Sequence, residues 1–385
     1  MALAVKGLEG IVAAETKSSF IDGEKGILEY VGIAIDDLAR NSTFEETVFL
    51  LWNNRLPNKA ELDEFTGMLR DRYELPPGME QRLVALPTSA QPMHVLRTMV
   101  SALSMHDLEP NKVDLPSARR KALNILGHVP TLIAYFDRYR RGLPLVHPRK
   151  DLSFAANFLY MLNGKEPTPA MVRAFDICMI LHADHGLNNS TFTARVIIST
   201  LSDMYSAITG AIGSLRGPLH GGANEEVMEM LGEIEKLAKE QGKDAMEVIE
   251  PYIMDRLKRK ERIMGFGHRV YKTIDPRATF LKTFSKQIAA DTGNLKLYEM
   301  SSKIEQIMAR EVGSKGIYPN VDFYSATTYH SIGLKLDLFT PMFAMSRVSG
   351  WAAHCLEQLA DNRLFRPAAA YIGPHAVAYA PIEKR

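Results

Sequence analysis

The chain has 385 residues, of which 46% are hydrophobic and 24% charged, and 46 basic against 45 acidic residues leave a formal charge of +1. That length is ample for two lobes around a sizeable core. Balanced charge argues against a protein that coats nucleic acid, while local basic clusters remain available for small anions.

Near the N-terminus, Lys6 and Glu9 stand where a leader peptide would need an apolar core. Residues 18–35, "SSFIDGEKGILEYVGIAI", carry the one decent strand pattern, with Asp22-Gly23 as the turn of a short hairpin. Helical periodicity dominates from there on. Thr43 and Glu46 fit a capping box ahead of "FEETVFLLW". Pro57-Asn58 opens a run with Leu62, Phe65, Leu69 and Tyr73 on one face. Thr168-Pro169 starts a helix expected to close at Gly186. Asn224 reads as the N-cap of a helix whose Val227, Met230, Leu231 and Ile234 form a buried stripe. Asp275-Pro276 begins another helix.

The fold class expected is mainly α, a large helical domain with a smaller inserted helical domain. Glycine-rich residues 217–222 and the stretch 326–333 are where the chain would leave one lobe and return. This assigns 1–221 and 327–385 to the large domain and 222–326 to the small one. Cys178 and Cys355 are isolated and match neither a disulfide framework nor a zinc site, and no uncharged run nears the roughly 20 residues of a bilayer span. The expectation is a cytoplasmic protein with no membrane and no nucleic-acid partner.

Four segments concentrate polar groups that a helical core would not choose: "HADHGLNNST" (182–191), "GPLHGGAN" (217–224), "GFGHRVYKTIDPR" (265–277) and "PNVDFYSA" (319–326). Arg347 and Arg366 follow in apolar surroundings. Most histidines near helix ends are caps or satisfied core residues, and His94, His106, His128, His147, His330, His354 and His375 are read so. His182, Asp184 and His185 form half of a metal site in type and spacing, as a metal-dependent hydrolase would need, but no second ligand pair has matching spacing. "GFGH" lacks the G-x-G-x-x-G spacing of a dinucleotide loop. It does sit beside Arg256, Lys258, Arg259, Lys260, Arg262, Arg269 and Lys272, a solvated face or a seat for a polyanion.

Taken together these segments resemble a family. "RGPLHGGAN", "MGFGHRVYKTIDPRA", "PNVDFYSA", "DLFTPMFAMSRVSGWAAHCLEQ" and "RPAAAYIGP" stand in the order found in citrate synthases. The opening "GLEGIVAAETKSSFIDGEKGILEYVGI" is similar to the short prokaryotic form. The related 2-methylcitrate synthases, which take propionyl-CoA, share these motifs, so the resemblance fixes the family more firmly than the acyl group. It implies a homodimer that joins acetyl-CoA to oxaloacetate and hydrolyses the citryl thioester, with acetyl-CoA as co-substrate and no tightly bound metal or redox cofactor. Asp322 would be the base, His220 the donor to the enolate oxygen and His268 the acid at the ketone. His185, Arg277 and Arg347 would hold oxaloacetate, with Arg366 lent across the dimer interface. Met264, Gly265, Phe266 and Gly267 would meet the adenine of CoA, and Lys272 would stand for a phosphate-binding arginine. Two positions depart from many relatives: Gly186 replaces an acidic residue and Val31 an arginine. A catalytically silent scaffold on the same fold is the remaining alternative; the intact His220, His268 and Asp322 argue against it.

Overall fold

A computed structural model describes residues 5–385; residues 1–4, the start of the segment whose Lys6 and Glu9 argue against a leader peptide, lie outside the described residues. A three-stranded antiparallel sheet comes first: β1 (Ser19–Asp22), β2 (Ile27–Tyr30) and β3 (Ile33–Ala34), in the order β1-β2-β3. The β1–β2 register pairs Asp22 with Ile27, so the connection is the four-residue loop 23–26 and not a two-residue Asp22-Gly23 turn. Asp22 shapes that loop by accepting from the N–H groups of Glu24 (3.1 Å) and Lys25 (3.0 Å). The tight turn is the next one, Val31-Gly32, where both residues take positive φ.

Ten helices build the first lobe: α1 (Ile35–Asn41), α2 (Phe44–Asn53), α3 (Lys59–Arg70), α4 (Met79–Val84), α5 (Pro92–Leu103), α6 (Leu115–Arg140), α7 (Phe154–Asn163), α8 (Pro169–His182), α9 (Asn189–Ile198) and α10 (Met204–Leu215). Their starts follow local chemistry. Thr43, Asn58, Asp114, Ser153, Thr168, Asn188 and Asp203 each cap a helix through the side-chain oxygen, a bond typically worth about 1 kcal/mol. At Thr43 only half of the expected capping box forms, whereas a complete box forms at Asn58–Glu61.

Five helices then pack mainly on one another: α11 (Ala223–Gln241), α12 (Ala245–Lys258), α13 (Pro276–Asp291), α14 (Leu295–Val312) and α15 (Val321–Ser331). The stripe Val227, Met230, Leu231 and Ile234 is buried. The cap of α11 is Gly222, however, and Asn224 is a fully buried first-turn residue that accepts from the Glu225 N–H. The turn 217–221 closes through His220 N–H and Gly221 N–H onto the Gly217 carbonyl, which leaves Gly222 to enter the helix.

The last helix, α16 (Phe339–Ala360), is apolar on nearly every side and buried over most of its length. It packs on α2, α5, α6, α8, α9 and α10, and so forms the axis of the first lobe. The second group meets the first where α13 touches α1 and α8, where α15 touches α8, and where α11 touches α16. The polar segments collect at this seam. Among the described residues, no helix is long and apolar enough to cross a membrane.

Candidate active site

His185 is set by an early helix stop. α8 ends at His182, not at Gly186, because the backbone beyond is taken by the sheet. Asp184 N–H donates to the Tyr30 hydroxyl (3.1 Å), which donates in turn to the Asp184 carbonyl (2.8 Å). Ser19 Oγ donates to Asp184 Oδ2 (2.6 Å) and accepts from Gly186 N–H (2.9 Å). Gly186 takes positive φ (+55°), a conformation a glycine adopts without strain. His354 presses on Asp184 from α16, with Nε2 3.3 Å from the carboxylate. Burial opposes that charge, yet His354, Arg347 and Ser19 outweigh it and hold the Asp184 pKa below the usual carboxylate value.

The "GFGH" and "PNVD" segments are joined by backbone. Gly267 N–H donates to the Tyr318 carbonyl and Asn320 N–H to the Gly265 carbonyl, both at 2.9 Å. Asn320 adds Nδ2–H to the Gly267 carbonyl (3.0 Å) and accepts the Asp322 N–H (3.0 Å) as the cap of α15. Gly265 is irreplaceable here: it has φ +78°, and a Cβ would lie 2.7 Å from Phe323 and 2.8 Å from Val227. This pairing holds His268 and Asp322 on adjoining backbone.

Three imidazoles are kept neutral. His268 Nδ1 accepts from the N–H groups of Val270 (3.0 Å) and Tyr271 (3.2 Å), so its proton sits on Nε2. Burial, then the Arg277 charge, pushes its pKa down to about 4. The His185 ring lies 5.2 Å from that of His268, and its Nε2 meets the Tyr271 hydroxyl at 3.1 Å. Burial and then Arg277 lower the His185 pKa well below normal. His220 Nε2 faces the Ser190 N–H (3.3 Å) and Oγ (2.8 Å), which makes Nε2 an acceptor and leaves Nδ1–H as the donor. Its pKa is also pushed down to about 4, first by burial and then by Arg347. Burial, more than the helix behind it, keeps this ring neutral.

Arg277 and Arg347 are buried, each 2% exposed. Arg277 is held bidentately by Asp275 (Nε 3.0 Å, Nη2 2.8 Å), which leaves Nη1 unspent. Among the described residues Arg347 donates only through Nε, to the His182 carbonyl (2.7 Å), and it lies over the Phe343 ring. Burial pushes its pKa down to about 10, so it stays charged at neutral pH. Asp322 lies in the same field. Burial raises its pKa to about 6 against the pull of Arg277 and Arg347, while an edge of the residue stays open.

Other expected residues lie apart. Arg366 is exposed beyond α16, its one hydrogen bond among the described residues going to the Pro367 carbonyl. Lys272 is exposed near Arg269. Arg256 and Arg259 are engaged by Glu233, Asp255 and Glu261, which removes two members of the basic cluster. His182 donates Nδ1–H to the Cys178 carbonyl (2.7 Å), so His182, Asp184 and His185 serve three different partners. Among the described residues, no three His, Cys, Asp or Glu side chains converge as metal ligands. Ser190, Tyr271 and Asn320 are not singled out from sequence, and Asp275 is read there only as a helix start. All four lie inside the quoted segments, and their contacts, not their types, make them part of the site.

The fold and site define a two-lobed helical protein whose seam pairs buried arginines suited to a dicarboxylate with a raised carboxylate and neutral histidines suited to proton transfer. The family model "Citrate synthase, C-terminal domain" matches residues 7–368. A protein of Bacillus subtilis named citrate synthase 2 is 51% identical over 99% of this chain and 99% of its own. The citrate synthase of Thermoplasma acidophilum, solved in ternary complex with carboxymethyl coenzyme A and oxaloacetate, is 35% identical with a TM-score of 0.90, covering 99% of each chain. A 2-methylcitrate synthase of Shewanella oneidensis is 40% identical over 98% of this chain and 97% of its own. The chain belongs to the citrate synthase family.

Proposed function

We propose that this chain condenses acetyl-CoA with oxaloacetate and hydrolyses the resulting citryl-CoA to citrate and CoA, the entry step of the tricarboxylic acid cycle. Oxaloacetate lies between His185, Arg277 and Arg347, whose unspent guanidinium N–H groups pair with its carboxylates. Asp322 removes a proton from the acetyl methyl group. His220 donates Nδ1–H to the thioester oxygen as it becomes an enolate, and such a prepositioned donor is typically worth about 2.7–4 kcal/mol. The enolate carbon attacks the ketone carbon while His268 polarises the ketone oxygen through Nε2–H and passes it that proton. Water then cleaves the thioester. No step calls for a metal or a redox cofactor.

The observation that carries this reading is Asp322 at a pKa of about 6 beside two buried arginines with free donors. A carboxylate with that pKa is a stronger base than an exposed one and is still ionised at neutral pH. CoA is assigned to the 264–267 loop with Lys272 near its phosphates, on a small domain of residues 222–326 that closes on the large one. The mutual packing of α11–α15 supports that division. A homodimer supplies Arg366 to the partner's site, and the exposed Tyr371, Ile372, Val377 and Tyr379 around it favour burial against a second copy. Two unpaired buried cysteines fit the cytoplasm.

Purified protein given acetyl-CoA and oxaloacetate should release free CoA thiol, and Asp322→Ala should lose about 10²–10⁴-fold in kcat. Full activity of that variant would remove Asp322 as the base. Run in parallel, propionyl-CoA should be the poorer substrate; one methylene is worth only about 1–3 kcal/mol, so weak activity with it is expected. A higher kcat/KM for propionyl-CoA would reassign the chain as a 2-methylcitrate synthase.

A further inference from the structure

The N-terminal sheet contacts the turns that carry His185 and His268, one from its strands and the other from its tip. Its strands hold the His185 turn through Tyr30 and Ser19, as described above. Its tip reaches the His268 turn: the Gly23 carbonyl accepts from Lys272 N–H at 2.9 Å. The approach is closer than any side chain would allow. A Cβ on Gly23 would lie 2.1 Å from the Val270 carbonyl oxygen, and one on Gly26 would lie 2.9 Å from that of Ile274. Val270 and Tyr271 are the residues whose N–H groups orient the His268 ring. The tip is stiffened for this contact by the Asp22 carboxylate, which ties down the N–H groups of Glu24 and Lys25.

We propose that the β1–β2 hairpin is a positioning element that sets the spacing of His185 and His268 across the bound ketone, with Gly23 as the residue that seats the His268 turn. Strand and tip belong to one rigid unit, so displacing the tip moves His268 relative to His185 without touching either side chain. The inference rests on His268 acting at the ketone, and the test separates the two.

The binary complex with carbon-labelled oxaloacetate alone is read by infrared spectroscopy of its ketone stretch, with oxaloacetate affinity measured by calorimetry. In the parent protein the stretch should fall below that of free oxaloacetate, and His268→Ala should abolish the fall. Gly23→Ala should bind oxaloacetate within about threefold of the parent, return the stretch toward the free value, and lower kcat on the order of 10–100-fold, the loss expected of a reacting group misplaced by about 1 Å. Asp22→Ala, at a half-buried position where it adds no bulk, should do the same to a smaller degree and stands in if Gly23→Ala does not fold. A normal ketone shift and kcat in the folded Gly23→Ala protein, or in Asp22→Ala where it stands in, overturn the hairpin's role. A parent complex without a shift, or one indifferent to His268→Ala, overturns the role of His268 instead.

Discussion

Asp322 carries the sharpest consequences at the scale of one residue. Its folded pKa, about 6, lies above the ordinary 3.8. The free enzyme should therefore lose kcat/KM for acetyl-CoA progressively as pH falls below about 6. His220 and His268, at about 4, stay neutral across that range and should not add to this limb. Undiminished kcat/KM between pH 6 and 5 would mean that Asp322 is solvated, since the two histidines begin to titrate only below that range. Stability should run the other way. A carboxyl whose pKa is raised by folding stabilises the fold while protonated, and that contribution is lost as pH rises through the folded value. At neutral pH the ionised group costs at most about 3 kcal/mol, discounted to roughly 1–2 because one edge is open to solvent. Asp322→Asn should thus raise Tm by a few degrees at pH 7.5, with the gain shrinking toward pH 4. An unchanged Tm would show that the active-site carboxylate is not held at the expense of the fold.

At the scale of elements, legibility followed how local the determining contact is. Thr168, Asn58 and Asp275 were readable as helix starts because a cap bonds residues two or three positions away. The end of α8 was not, since the sheet, more than 150 residues earlier, pulls Asp184 out of the helix through Tyr30. Asn224 looked like a cap by type, but the turn at His220 moves the cap two residues earlier, to Gly222. Asp275 shows what local reading leaves out. It was legible as a cap, yet it also fixes Arg277 bidentately and accepts Val321 N–H at 3.3 Å, tying α13 to α15. Asp275→Ala should cost about 3–5 kcal/mol in denaturant unfolding, the usual penalty for leaving a buried charge unpaired. It should also raise KM for oxaloacetate. A loss under about 1 kcal/mol would mean that Arg277 finds another partner or turns to solvent.

For the whole molecule, the family was legible because its chemistry is packed into short runs, whereas the assembly depends on surfaces that no run encodes. Arg366 illustrates the difference: it reads as a site residue by motif, yet in a single chain it is exposed and, among the described residues, bonded only to Pro367. If it completes the partner's site, two separate defects should complement each other. Arg366→Ala and Asp322→Ala homodimers each lack one essential group at both sites. A mixed dimer has one site with both groups, because the Asp322→Ala subunit lends its Arg366 to the intact Asp322 of the other. Random exchange of equal amounts in a two-fold dimer should restore about a quarter of the parental activity. Activity that stays at the mean of the two inactive parents, with subunit exchange verified by mass spectrometry, would place Arg366 outside the partner's site. Sedimentation of the parent protein as a monomer would remove the dimer itself, and with it the reason for the exposed apolar stretch that follows α16.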